Sequence, residues 1–320
     1  MSQNVHPDQL VDATEMNEDD RITSAETEEA GAKQLTRGAL VRRRFWRSNI
    51  SRIGVIGFSL IVLLAIIGPY ISPWDYKEVD STSFLKPPSA DHWLGTTQGG
   101  NDVLAMTLEG LRKSLIIGAA VALIQTFLSA VIGSSAAYFG KIVDKTLLWI
   151  IDLLLVIPSF LLIAVISQRS KGSNGSVLVL ILLLAAFGWM LSARVVRSMT
   201  LSVKNYEYVT AAKYMSVPSY VIVGKHIIPN VASYLIIDAA LGFVGAVMSE
   251  TVLSYFGFGV QSPETSLGTL IAEGQTMATT FPWIFLAPAT LLTLTLIFVN
   301  FIGDGLRDAI DPSSKSGGQA

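Results

Sequence analysis

Four stretches of this chain run for 19 residues or more without a charge: Ile53–Ile71, Ser114–Phe139, Gly175–Ala193 and Phe281–Gly303. Two more, Thr146–Ser167 and Val231–Ser249, hold one acid each, Asp152 and Asp238. A helix needs about 20 apolar residues, rising 1.5 Å each, to cross roughly 30 Å of hydrocarbon. Strands of a membrane barrel would instead alternate apolar and polar residues over about 10 positions, and these runs do not alternate. The expected fold is therefore all-α and polytopic, with six transmembrane helices. Composition agrees: 15% of the 320 residues are charged and mean hydropathy is +0.50, against about 25% charged in an average soluble domain.

Orientation follows from the basic residues that flank the runs. With the N-terminus in the cytoplasm, the cytoplasmic pieces (the N-tail, 140–145, 194–230 and the C-tail) hold 8, 2, 5 and 2 Lys or Arg, 17 of the 23. The predicted topology is N-in, C-in. Residues 1–35, with nine acids before residue 30, read as a disordered cytoplasmic tail. Residues 36–72 make a basic elbow and the first span, with Arg42, Arg43, Arg44 and Arg47 set to meet lipid phosphates and Phe45 and Trp46 among them. An extracytoplasmic segment at 73–110, a five-span core at 111–308 and a short tail at 309–320 complete the division. Residues 253–280 are apolar but broken by Gly257, Gly259, Pro263, Gly268 and Gly274, so a straight span is not expected there. The first 35 residues contain no apolar stretch of the kind a cleaved signal peptide needs.

Several chemistries are disfavoured. There is no cysteine, hence no thiolate site. The three histidines, His6, His92 and His226, fall in different parts of the predicted topology and build no metal site. Gly224-Lys225 is followed by His226 without the upstream glycine of a phosphate-binding loop, so no ATP hydrolysis is expected here. The basic residues follow membrane topology and form no nucleic-acid stripe. Asp152 and Asp238 are costly inside hydrocarbon, at about 2.5–3.5 kcal/mol for Asp at a helix centre, so each needs a partner or water. Asp152 suits a structural pair with Arg or Lys. Asp238 suits a subunit contact or a transport path, and Glu250 a path or a cap for the segment after it.

The longest cytoplasmic loop, 194–230, is mostly helix-compatible. It reads Glu207-Tyr208-Val209-Thr210-Ala211-Ala212-Lys213-Tyr214-Met215-Ser216, and later His226-Ile227-Ile228-Pro229-Asn230. The small pair Ala211-Ala212 permits close approach to another surface, and Tyr208, Met215 and Tyr220 are sized to fill a groove. Pro218 is expected to break the helix, and Pro229 to stop the pattern before the fifth span. On these grounds alone the loop is either an amphipathic connector on its own bundle or a docking element for another protein.

This loop resembles the cytoplasmic "EAA" loop of binding-protein-dependent ABC importer permeases. Ala211, Ala212 and Pro229 match that pattern in spacing, while Thr210 replaces its Glu, Ser216 its Gly, and His226 and Ile228 its Ile and Leu. If the family's glycine has positive φ, Ser216 would be strained. Further stretches carry the resemblance. His92-Trp93-Leu94-Gly95-Thr96 with Gly100 and Asp102-Val103 is similar to the signature of C-type dipeptide and oligopeptide permeases, with Thr97 and Asn101 replacing its Asp and Arg. Asp144, Asp152 and Ile157-Pro158-Ser159 resemble the family's third span. Glu250 and Leu253-Ser254-Tyr255-Phe256-Gly257-Phe258-Gly259-Val260-Gln261, then Asp304, Arg307 and Asp308 within the run Gly303–Ala309, match later motifs.

The resemblance covers roughly residues 37–312. It implies a type I ABC importer permease fold and a non-enzymatic subunit of an ATP-driven importer for di- and oligopeptides. It also implies a heterodimer with a homologous permease, two ATP-binding subunits carrying ATP and Mg, and an extracytoplasmic substrate-binding protein. No cofactor is expected on this chain. Its implied docking residues are Glu207, Tyr208, Ala211, Ala212, Tyr214, Met215, Ser216, His226 and Pro229. Asp238, Glu250, Phe256 and Phe258 would belong to a path or gate. The rival readings are nickel or another small solute as cargo, an ion-coupled secondary transporter using Asp238 and Glu250, and a membrane-embedded enzyme.

Overall fold

A computed structural model of the chain describes residues 37–169 and 176–311. The predicted acidic tail at 1–35 and most of the predicted C-tail lie outside the described residues. The chain divides into residues 1–43 and 44–320; the bundle described below belongs to the second.

A first helix, α1 (Arg37–Arg47), coincides with the predicted elbow. α2 (Asn49–Ile71) begins where the Ser48 hydroxyl accepts the Ser51 N–H, an N-cap. α3 (Val103–Phe139) starts in the same way, with the Asp102 carboxylate taking the Ala105 N–H at 2.8 Å. Gly140, at φ 60, ends α3. α4 (Lys141–Val156) and α5 (Ser159–Arg169) meet at Ile157-Pro158 with a bend of 72°. α6 (Ser176–Gly188) and α7 (Met190–Val203) meet at Gly188-Trp189 with a bend of 42°. The short α8 (Glu207–Tyr214) leads to α9 (Ser219–Tyr255), then α10 (Leu267–Gln275) and α11 (Pro282–Ile310).

Four of these helices (α2, α3, α9 and α11) are long and apolar enough to span a membrane, and the number is six if each bent pair counts as one span. The predicted runs fall on these helices, except that Gly175 lies outside the described residues and Phe281 is the N-cap of α11. No β-strand element occurs among the described residues; an isolated bridge joins Thr96 to Asp102. Large apolar side chains such as Ile56, Leu60, Leu123, Phe127 and Leu182 are exposed along the helices, as faces turned to lipid are. α2 and α11 pack through Ile61, Ala65, Leu292 and Val299, with Phe243 and Val247 of α9 and Leu111 of α3 in the same core.

The loop end differs from the sequence reading in two respects. α7 runs ten residues past Ala193 and α9 begins at Ser219, so 194–230 is mostly the ends of two span helices with α8 between them. Pro218 does break the helix, but Pro229 does not stop one. Residues Ile222–Ile227 form a π-helical turn in which the Ile228 N–H bonds the Val223 carbonyl. A proline lacks an N–H and crowds the carbonyl four residues back. The wider π spacing accommodates both defects, and the helix continues through Pro229. At the opposite end of the bundle, 256–281 is not a span. It contains α10, which rests on α3, α9 and α11.

Candidate functional site

At the loop end, α8 is held by an ordered C-terminal cap. The Val217 N–H reaches the Ala212 carbonyl and the Ser216 N–H the Lys213 carbonyl, both at 3.1 Å. This is a Schellman arrangement, whose turning residue adopts the left-handed region. That residue is Ser216, at φ 57, so the serine occupies the conformation that favours glycine. Val209 and Ala212 point inward, joining Val203, Ile222, Val223 and Ile227 in one core. The opposite face is bare: Tyr214 is 85% exposed and the capping Met215 72%, with Tyr220 at the start of α9 78% exposed. Glu207, Tyr208 and Ala211 are exposed on it as well. Ala211 and Ala212 therefore have opposite surroundings. His226, in the π turn, and Pro229 flank this region, with the His226 ring 6.4 Å from that of Tyr208. The Lys204 ammonium donates to the Ala137 carbonyl at 2.8 Å, tying the loop to α3. Beside it lies a cleft of about 620 Å³ lined by Tyr138, Phe139, Lys204, Thr210, Lys213 and Tyr214.

The acids in and beside the runs have specific partners. Arg194 pairs with Asp152, as the sequence suggested, and the Arg197 guanidinium forks onto Asp144 at 2.5 and 2.6 Å. Asp238 accepts hydrogen bonds from two hydroxyls, Ser192 at 2.6 Å and Tyr234 at 3.3 Å. It faces α7 beside the Gly188-Trp189 break.

Glu250 is fully buried and gathers three serines. The hydroxyls of Ser254 and Ser266 donate to Oε1 at 2.6 Å, and that of Ser114 to Oε2 at 3.5 Å. Each serine also accepts a backbone N–H: Val260 on Ser254 at 3.3 Å, Thr269 on Ser266 at 3.2 Å and Leu267 on Ser114 at 3.1 Å. The carboxylate thus anchors 254–269 and the N-terminus of α10 to α3 and α9. Gly268 fits because a Cβ there would stand 2.8 Å from the Thr251 Cα. The partners of Glu250 were not legible in advance, since Ser114 and Ser266 lie 136 residues before it and 16 after it. Phe256 is exposed and Phe258 half-buried, and both meet Phe160 edge-on at 5.8 and 6.4 Å.

At the same end, residues 72–102 fold over the bundle. His92 is 2% exposed; its Nδ1 lies 2.9 Å from Asp102 and its Nε2 3.4 Å from Asp80, and its ring stacks on Trp74. Hydrogen bonds from Ser83, Thr82 and His92 hold the Asp80 carboxyl well below the usual carboxylate range. Thr97 and Asn101 make a neutral connection: the Thr97 hydroxyl accepts the Asn101 N–H at 3.1 Å, and the Asn101 amide donates to the Glu78 carbonyl at 3.0 Å. Asp304, Arg307 and Asp308 lie exposed on the last turns of α11, whose Gly305 faces Ser51 of α2.

A second cleft, at the helix breaks, holds residues the sequence reading did not single out, apart from Ser159 of the Ile157-Pro158-Ser159 stretch. Gln125, Ser159, Phe160, Gly242, Gly245 and Ser249 line about 470 Å³ there. For Gln125 and Ser249 the one signal was a polar residue within an apolar run.

Residues 129–316 match the family described as "Binding-protein-dependent transport system inner membrane component". Residues 36–88 match the N-terminal TM domain of oligopeptide transport permease C. The oligopeptide transport system permease protein OppC of Mycobacterium tuberculosis is 49% identical over 281 residues, 88% of this chain and 96% of the relative. OppC of Bacillus subtilis is 33% identical over 91% of this chain and 95% of its own length. The dipeptide transport system permease protein DppC of Bacillus subtilis is 34% identical over 85% of each. With four span-length apolar helices and two bent apolar pairs, matched along nearly its whole described length, the chain is a multi-pass inner-membrane protein and belongs to the binding-protein-dependent transport permeases.

Proposed function

We propose that this chain is the C-type permease subunit of an ATP-driven importer for di- and oligopeptides. It forms half of the translocation path with a homologous permease and works by alternating access. Two ATP-binding subunits, carrying ATP and Mg, dock at the loop end. An extracytoplasmic binding protein delivers peptide at the end covered by 72–102 and α10. The basic residues support the orientation: Lys141, Lys145, Lys204, Lys213 and Lys225 all lie at the loop end, which favours a cytoplasmic side for it.

The observation that carries this reading is α8. Its inner face is fixed in the core by Val209 and Ala212, its end is capped, and its outer face offers Tyr208, Tyr214 and Met215 to solvent. An aromatic and methionine face on a rigid support suits a partner protein. Docking residues proposed here are Glu207, Tyr208, Ala211, Tyr214, Met215 and Ser216, with His226 and Pro229 at the margin and Ala212 as their inner support. Closing and opening of the ATPase pair then moves α8, and through it α7 and α9, shifting the bundle between two states by its differential affinity for them.

The test is peptide uptake by proteoliposomes holding the purified complex with its binding protein. Uptake of a labelled tripeptide is expected to require ATP inside and to persist when proton and sodium gradients are collapsed. Uptake that follows an ion gradient without ATP would instead establish a secondary transporter.

A further inference from the structure

The cleft of about 470 Å³ is bounded by both helix breaks. Ser159 and Phe160 open α5 directly after Ile157-Pro158, and Phe187 and Gly188 close α6. The breaks come after helical runs of 16 and 13 residues, well inside the spans. Irregular backbone at that depth is tolerated where it is covered by protein or lines a wet cavity, and here it lines a cavity.

The third wall is α9. Asp238, Gly242, Gly245 and Ser249 are spaced by four, three and four residues, which puts them on one helical face. Gly242, Gly245 and Ser249 line the cleft, and Asp238 continues the face beyond one end. A Cβ built at Gly245 would meet nothing within 4 Å, so close packing does not explain this glycine. The side-chain amide of Gln125 donates to the Leu184 carbonyl at 3.1 Å. Its second N–H and its carbonyl oxygen remain as hydrogen-bonding capacity. At the other end stand Phe160 and Phe256, in edge contact.

We infer that this cleft is the chain's share of the substrate path, and that Gln125, Ser159 and Ser249 recognise the main chain of a passing peptide rather than its side chains. The inference rests on the peptide-importer reading and adds where the peptide runs and what is read. The glycines present bare helix surface along which an extended peptide can lie without a side-chain pocket. The amide and the two hydroxyls can each pair with peptide N–H or C=O groups, which every residue carries. From Asp238 to Ser249 the face is about 16 Å long at 1.5 Å per residue, the reach of about five extended residues. Asp238, held by two hydroxyls, marks the end where a peptide ammonium is favoured. The volume lies within the roughly 300–1,000 Å³ of small-ligand sites.

Uptake by the complete reconstituted complex tests this, with trialanine, trilysine and backbone N-methylated trialanine as probes. Gly245→Trp, which fills open space, is expected to cut uptake of both unmodified peptides at least tenfold. The partner permease and ATPases should still co-purify, and ATP hydrolysis should persist. Gln125→Leu is expected to raise KM by similar factors for trialanine and trilysine. It should also narrow the preference for trialanine over its N-methylated form. Wild-type uptake by Gly245→Trp would overturn the inference, as would loss of the partner permease from that variant, which would make the cleft a subunit contact. So would a Gln125→Leu effect confined to one side-chain class. In each of those cases ATP-driven uptake by the wild-type complex would leave the permease reading standing, whereas its absence in wild type would remove that reading itself.

Discussion

Ser216 shows how much a single position can carry. Its φ of 57 is needed for the cap that ends α8. An L-residue there costs roughly 1–2 kcal/mol relative to a relaxed conformation, and glycine is free of that penalty. Ser216→Gly is therefore expected to stabilise the protein by about 1 kcal/mol, seen as a higher apparent melting temperature in detergent. Ser216→Val is expected to lower it. A lower melting temperature for the glycine variant would contradict the left-handed turn. The strain was foreseeable from the spacing of Ala211, Ala212 and Ser216, because the family pattern has glycine at that place. The facing of the two alanines was harder to read. Both are small and apolar; only Val209, three residues before Ala212, marked the inner side. An acid at Ala212 would consequently enter the chain's own core, so it is Tyr214 and Met215 that report on docking.

At the scale of elements, the long apolar helices were legible, because a charge-free run of about 20 residues has few alternatives. Their ends were not. α7 and α9 reach past the apolar stretches with Arg194, Arg197, Lys204 and Lys225 on them or beside them. Those charges are tolerated because Arg194 and Arg197 pair with Asp152 and Asp144, while Lys204 donates to the end of α3. Pro229 misled for a different reason: the proline rule assumes α spacing, and the turn just before it is π. The Glu250 cluster is assembled from elements far apart in the sequence, which no local pattern encodes. Replacing the carboxylate leaves three buried serine hydroxyls short of an acceptor, and an unsatisfied buried polar group costs about 1–3 kcal/mol. Glu250→Leu is thus expected to lower the apparent melting temperature and speed proteolysis within 254–269. Glu250→Gln, which keeps an acceptor oxygen, is expected to do so much less. Equal effects of the two would show that these hydrogen bonds do not hold the segment.

The whole molecule joins two differently built ends through one bundle. At one end Glu250 and the His92 cluster fix 72–102 and α10 on the spans. At the other, α8 stands on the ends of α3, α7 and α9 with an aromatic face outward. The helix breaks lie between the two and line the cleft. Central to this account is that α8 receives the ATP-binding subunits. The most direct measurement is co-purification of those subunits with the chain after Tyr214→Asp and Met215→Asp are introduced together. Both side chains are more than two-thirds exposed, so the variant should insert and melt like wild type. It is expected to come through purification without ATP-binding subunits and with peptide uptake abolished. A variant that keeps both its ATP-binding subunits and its uptake would contradict it.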